Sequence, residues 1–125
     1  MKNALSLLRD GAMRDLAPTI LRQRLVVEGI PGFIISNRHI SDYLKDLSRV
    51  CDMKALIEPV THCSDLYGWA GWIHWETSGA HFYAWDRPNL FFSVDIYACK
   101  AFDPLVVTEF TKRTFAASEI VAKEF

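Results

Sequence analysis

Five residues able to ligate a metal or move a proton fall in one part of the chain: His62, Cys63, His74, His81 and Cys99. Imidazole and thiolate are the usual zinc donors. Their spacing here matches no compact ligand pattern, in which donors pair across about two to five intervening residues, so no metal is expected. Ser78 offers a hydroxyl nucleophile beside Gly79, although Thr-Ser-Gly is also ordinary turn chemistry. Two acids sit inside apolar runs, Glu28 in Leu-Val-Val-Glu-Gly and Asp95 in Val-Asp-Ile-Tyr. Unpaired buried acids are rare, so Glu28 reads first as a strand-end carboxylate facing water. Asp95 suits equally a substrate amine, a backbone donor or solvation. Taken alone, Cys51 and Cys99 read as small apolar residues.

The elements that must position these groups follow from the pattern. A chain of 125 residues, half of them hydrophobic, has enough length to bury one core. The net charge is −1 with no basic stripe, which argues against nucleic acid and membrane surfaces as partners. No apolar run approaches a membrane span, and Arg9, Asp10, Arg14 and Asp15 interrupt the N-terminus as no signal peptide would allow. Three cysteines at irregular spacing make no disulfide framework, so a cytoplasmic domain with reduced thiols is expected.

In chain order, Asn3 to Leu8 suits a short helix, and Ala12 to Arg24 a second one or an extended arm. Leu25–Gly29 reads as the first strand. Ile40, Tyr43, Leu44, Leu47 and Val50 or Cys51 recur at helical spacing and predict a helix to about Met53, capped by Asn37 or Ser41. Strands follow at Ala55–Thr61, Trp69–Trp75, Ala80–Trp85 and Asn89–Ala98, with turns at Glu76 to Gly79 and Asp86 to Pro88. Asp103-Pro104 predicts an N-cap and first helical position, with Leu105, Val106, Phe110 and Phe115 turned inward. Ser118–Phe125 alternates as a last strand. The order β-α-β-β-β-β-α-β with short turns predicts an α+β, two-layer sandwich: a mainly antiparallel sheet with two helices on one face. The other face is rich in aromatics and calls for a cover, so a dimer is expected. Residues 1–20 are read as a helical extension and 21–125 as the domain.

The run from His62 onward resembles the small prokaryotic S-adenosylmethionine decarboxylases. Their pattern leads from a His through Gly-x-x-Gly to Glu-Ser-His-x-Ser-x-His-x-Trp, then Val-Asp-Ile-Phe-x-Cys and Asp-Pro. His62, Gly68, Gly71, Ser78 and Trp85 match without a gap; after one inserted residue Val94-Asp95-Ile96-Tyr97-Ala98-Cys99 and Asp103-Pro104 follow. Leu25–Glu28 matches the family's first strand and its acid. The resemblance implies a dimerising α/β layer pair and a pyruvoyl cofactor formed from Ser78 by self-cleavage, acting as an electron sink for decarboxylation. It implies Cys99 as the proton donor, with His81 or Tyr83 helping, and Glu28, His62 and Asp95 near the substrate, S-adenosylmethionine or a related amino acid. Thr77, Gly79, His81 and Tyr83 stand where the family has Glu, His, Ser and His. Those departures leave a second expectation: an unprocessed relative that binds a nucleoside-like ligand or a partner subunit, as a homodimer or a heterodimer with a homologue.

Overall fold

The structure, a computed structural model, describes Asn3 and residues 13–125. The helix expected over Asn3 to Leu8 lies outside the described residues. Residues 13–22 form a turn-containing arm without a helix, pinned by Arg22, which donates to the carbonyls of Ala17 and Ile20 and pairs with Asp15.

Eight elements follow: β1 (Gln23–Ile30), α1 (Asn37–Val50), β2 (Val60–Cys63), β3 (Gly68–Trp75), β4 (Ser78–Trp85), β5 (Phe91–Ala98), α2 (Pro104–Thr114) and β6 (Glu119–Glu124). They build one six-stranded sheet in the order β2-β3-β4-β5-β1-β6, antiparallel at every pairing. Both helices pack on one face, which is the two-layer α+β sandwich expected. The inward row runs Leu25 and Val27 (β1), Phe92, Val94 and Ile96 (β5), Ala80 and Phe82 (β4), Ile73 and Trp75 (β3). These meet Ile40, Tyr43, Leu44 and Leu47 of α1 and Val107 and Phe115 from the α2 side in one continuous core.

Local chemistry explains the ends. Ser36, not Asn37 or Ser41, caps α1: its hydroxyl accepts from His39 N–H while His39 Nδ1 accepts from Ser36 N–H. Histidine stands where a capping box usually carries Glu or Gln, which hides the signature. Asp103 caps α2 by accepting from Leu105 and Val106, with Pro104 in the first turn as expected. Leu105 and Val106 are exposed, however, and Val107 and Thr111 face the core instead. Thr111 is tolerated there because its hydroxyl donates to Val107 O and meets Tyr43 Oη at 2.7 Å. The strand expected at Ala55–Thr61 is confined to Val60–Cys63, preceded by a single bridge from Ala55 to Trp75. Pro59 has no N–H to offer a ladder.

Gly71 lets α1 approach β3: a Cβ there would lie 2.5 Å from the Ile40 methyl. Gly68 has a φ of +151° and a Cβ would meet the Ala84 carbonyl oxygen at 2.4 Å, so the start of β3 requires a residue without one.

Cys51 is buried on α1's C-cap, whereas Cys63 and Cys99 are exposed; all three are free thiols. Burial pushes the Cys51 thiol up to about 12 from its ordinary 9.0. The folded chain therefore holds that proton more tightly than the unfolded chain, and its contribution to stability is lost as pH rises from 9.0 towards about 12. An aromatic disulfide reagent at pH 8 should modify two thiols of the native protein quickly and the third only on unfolding. Rapid modification of all three would contradict the burial of Cys51.

Candidate active site

Ser78 is the first residue of β4 rather than a turn residue, paired with Trp75 on β3 and Ala98 on β5. The hairpin turn is Glu76-Thr77, and neither residue has a positive φ. Two-residue hairpins normally use the mirror-image turns that need one. Here the turn is held from outside: Glu76 N–H donates to Lys54 O at 2.9 Å, and Cys99 N–H donates to Thr77 O at 2.9 Å. The Thr77–Ser78 peptide is thus clamped on the Thr77 carbonyl.

The Ser78 side chain shares the row of Ala80 and Phe82, the helix-facing side. Its Oγ lies 3.0 Å from Thr77 Oγ1 and 3.6 Å from Met53 Sδ. Behind it Trp75 is fully buried, its Nε1–H donating to Ser48 Oγ at 2.7 Å, and Ser48 in turn donates to Leu44 O.

A cavity of about 490 Å³ opens at this end of the sheet, lined by the hairpin from Ile73 to Gly79 together with His81, Asp95, Tyr97 and Arg24. Register explains who meets whom on the open face. One row runs Arg24, Tyr97, Gly79, His74; the next runs Val26, Asp95, His81, Trp72. Arg24 reaches diagonally to Asp95, with Nε to Oδ1 at 3.0 Å and Nη2 to Oδ2 at 2.8 Å. That hydrogen bond raises the Arg24 guanidinium above its ordinary value, and the fork stays charged throughout the accessible range. Trp72 stands edge-on to His74 and tilted against His81.

Of the residues singled out in the sequence, Ser78, His81 and Asp95 line this cavity, and Cys99 adjoins it through the Thr77 carbonyl. Tyr83, His62 and Glu28 occupy the next row of the open face, and none of them lines it. Glu28 is half-buried and accepts from Ser93 Oγ at 2.8 Å. Two lining residues went unread as a site, Arg24 and Tyr97, and His74 was named only among the possible metal donors. Tyr97 shares strand parity with Asp95, a signal available in the sequence. Arg24 depends on β1 lying beside β5, a long-range pairing that no local pattern carries. Among the described residues no group of three or more His, Cys, Asp or Glu is placed to hold a metal, and no helix is long and apolar enough to cross a membrane.

A family model described as S-adenosylmethionine decarboxylase matches residues 27–125. The chain belongs to the S-adenosylmethionine decarboxylase family. A solved structure, the adenosylmethionine decarboxylase from Aquifex aeolicus vf5, superposes with a TM-score of 0.68 over 85% of this chain and 89% of that one. At 13% identity that likeness speaks for the fold. Comparison with curated protein sequences gave no match. The match begins within β1, so the arm of residues 13–22 lies outside the part shared with the S-adenosylmethionine decarboxylase family. The family's pyruvoyl group is consistent with the residues present. Ser78 heads a strand, opens onto a cavity, and follows a carbonyl already held by a backbone donor.

Proposed function

We propose that the chain is a decarboxylase that makes a pyruvoyl cofactor from its own Ser78 and acts on S-adenosylmethionine or a related amino acid. The observation that carries this reading is the Thr77 carbonyl, whose oxygen accepts the Cys99 N–H at 2.9 Å beside the Ser78 hydroxyl. Attack of Ser78 Oγ on that carbonyl carbon builds negative charge on the oxygen, and a donor already in place stabilises it. The C–N bond then breaks, leaving an ester on Oγ and a free Ser78 amine. Loss of the Ser78 Cα proton expels the Thr77 carboxylate. Water then replaces the resulting imine nitrogen, which leaves as ammonia. The pyruvoyl group supplies an electron sink for loss of carbon dioxide.

The other steps fall to this chain's side chains. Cys99 returns a proton to the substrate carbon, and His81, across the strand pair from Asp95, serves as the helper at the cavity. Tyr83, Glu28 and His62 reach a substrate only if it extends along the open face. That face carries Trp72, Tyr83 and Tyr97 exposed to solvent. It is the surface that a second copy, or a homologue, would cover in a cytoplasmic dimer.

One observation favours a second reading, an unprocessed relative that binds a nucleoside-like ligand or a partner subunit: among the described residues the Ser78 hydroxyl bonds only Thr77 Oγ1 and Met53 Sδ, with no imidazole on it. Intact mass under denaturing conditions separates the two. Fragments corresponding to residues 1–77 and 78–125 are expected, and a single full-length mass would leave the second reading.

A further inference from the structure

The hydroxyl that self-cleavage needs as a nucleophile has a second hydroxyl beside it. At the helix-facing end of the hairpin, Ser78 Oγ and Thr77 Oγ1 stand 3.0 Å apart. Both reach the sulfur of the buried Met53, Ser78 at 3.6 Å and Thr77 at 3.7 Å. The imidazoles of this hairpin are elsewhere. His74 and His81 alternate with the inward residues Ile73, Trp75, Ala80 and Phe82, so they project from the opposite face of the sheet. The neighbouring carboxylate, Glu76, stands 3.7 Å from Lys54 Nζ.

Two hydroxyl protons serve this triangle. A thioether accepts weakly and has no proton to give, so one proton lies between the two oxygens and the other points at sulfur. When Thr77 donates to Ser78, it occupies a lone pair that Ser78 needs for attack. When Ser78 donates to Thr77, its own lone pairs are free and the Thr77 proton rests on the sulfur. The two sulfur distances are nearly equal, so the thioether accommodates either arrangement.

Attack also requires Ser78 Oγ to lose its proton as the new bond to carbon forms. Among the described residues Thr77 Oγ1 is the only oxygen hydrogen-bonded to it. A neutral hydroxyl holds no extra proton near neutral pH, so Thr77 can accept one only by releasing its own. The turn is exposed at Thr77, which lets a water molecule take that proton.

We propose that Thr77 is a catalytic residue of self-cleavage, relaying the Ser78 hydroxyl proton to solvent. The proposal rests on the decarboxylase reading. In this step Ser78 Oγ bonds the Thr77 carbonyl carbon, its proton passes to Thr77 Oγ1, and the proton already on Thr77 passes to water. The C–N bond then breaks with its electron pair on nitrogen, which takes a proton back from solvent. The balance is an acyl shift from nitrogen to oxygen, with no net proton gained or lost. Thr77 thus contributes at both ends of the attack, its carbonyl held by Cys99 N–H and its hydroxyl on the nucleophile.

The test follows cleavage of the full chain by intact mass, starting from uncleaved product of cell-free synthesis. Thr77→Val keeps the branched shape without the hydroxyl and should slow cleavage about a hundredfold. Thr77→Ser restores a hydroxyl and should return the rate close to that of the native chain. Thr77→Ala, read beside them in case the valine disturbs the turn, should be as slow as Thr77→Val. Hydroxylamine traps the ester as a hydroxamate on the fragment 1–77. Its yield should fall with Thr77→Val and recover with Thr77→Ser, because the relay acts before the ester forms. Cleavage of Thr77→Val and Thr77→Ala at the native rate, or a Thr77→Ser chain as slow as they are, would overturn the proposal alone. So would slow cleavage with undiminished trapping, which would place the threonine at the elimination instead. A native chain that never cleaves would overturn the decarboxylase reading and this proposal together.

Discussion

A Ser78→Ala chain should remain in one piece, with decarboxylation lost to the limit of detection. Alanine offers no oxygen to attack the Thr77 carbonyl, so neither the ester nor the elimination that follows can form, however well the carbonyl is held. The fold should barely notice. Among the described residues Ser78 Oγ has only the Thr77 hydroxyl and the Met53 sulfur as partners, so the loss of stability should stay within about 1 kcal/mol. Denaturing mass spectrometry beside a thermal melt checks both halves. The control matters because the Glu76-Thr77 turn is exposed and a contaminating protease could nick it. Such a nick would persist in the alanine variant, and persistence would refute Ser78 as the agent of cleavage.

The second large effect is on stability. Trp75 is only 1% exposed and its ring N–H bonds β3 to α1 by way of Ser48 Oγ. Trp75→Ala removes the ring from a packed site directly behind Ser78 and should cost about 3–5 kcal/mol. Against a total of about 5–15 kcal/mol for a domain, that is a large share. Trp75→Phe keeps most of the volume and loses the hydrogen bond, for about 1–1.5 kcal/mol. Urea unfolding of the three proteins measures the differences. A loss below about 1 kcal/mol for Trp75→Ala would mean that the ring is not packed as described.

The tryptophan-rich strand was the most legible part of the chain. Its alternation puts Trp69, Gly71, Ile73 and Trp75 on one face and Ala70, Trp72 and His74 on the other, and register bears this out. The two helices were legible from periodicity, yet the inward face of α2 was misjudged. Leu105 and Val106 look like core by type, but the stripe passes through Val107 and Thr111, and a buried threonine paired with Tyr43 has no hydrophobic signature. The segment from Ala55 was over-read as strand because β-branched and apolar residues surround a proline whose missing N–H decides the matter.

For the site, the family pattern singled out Ser78 and Cys99, and the structure joins their surroundings through one backbone hydrogen bond. What no pattern could supply was Arg24. Its position opposite Tyr97 follows from β1 inserting between β5 and β6, a pairing across some seventy residues of chain.

That insertion has a further result for a chain cut after Thr77. The first piece would contribute β1, α1, β2 and β3, and the second β4, β5, α2 and β6. In the sheet the pieces do not lie side by side, because β1 of the first is threaded between two strands of the second. Separating them means withdrawing an interior strand and opening the core on both of its flanks, which amounts to unfolding. The severed molecule would travel as a single particle on a native column and fall into two only in denaturant. The two pieces made separately would be fragments of one fold, each lacking the neighbours its strands require.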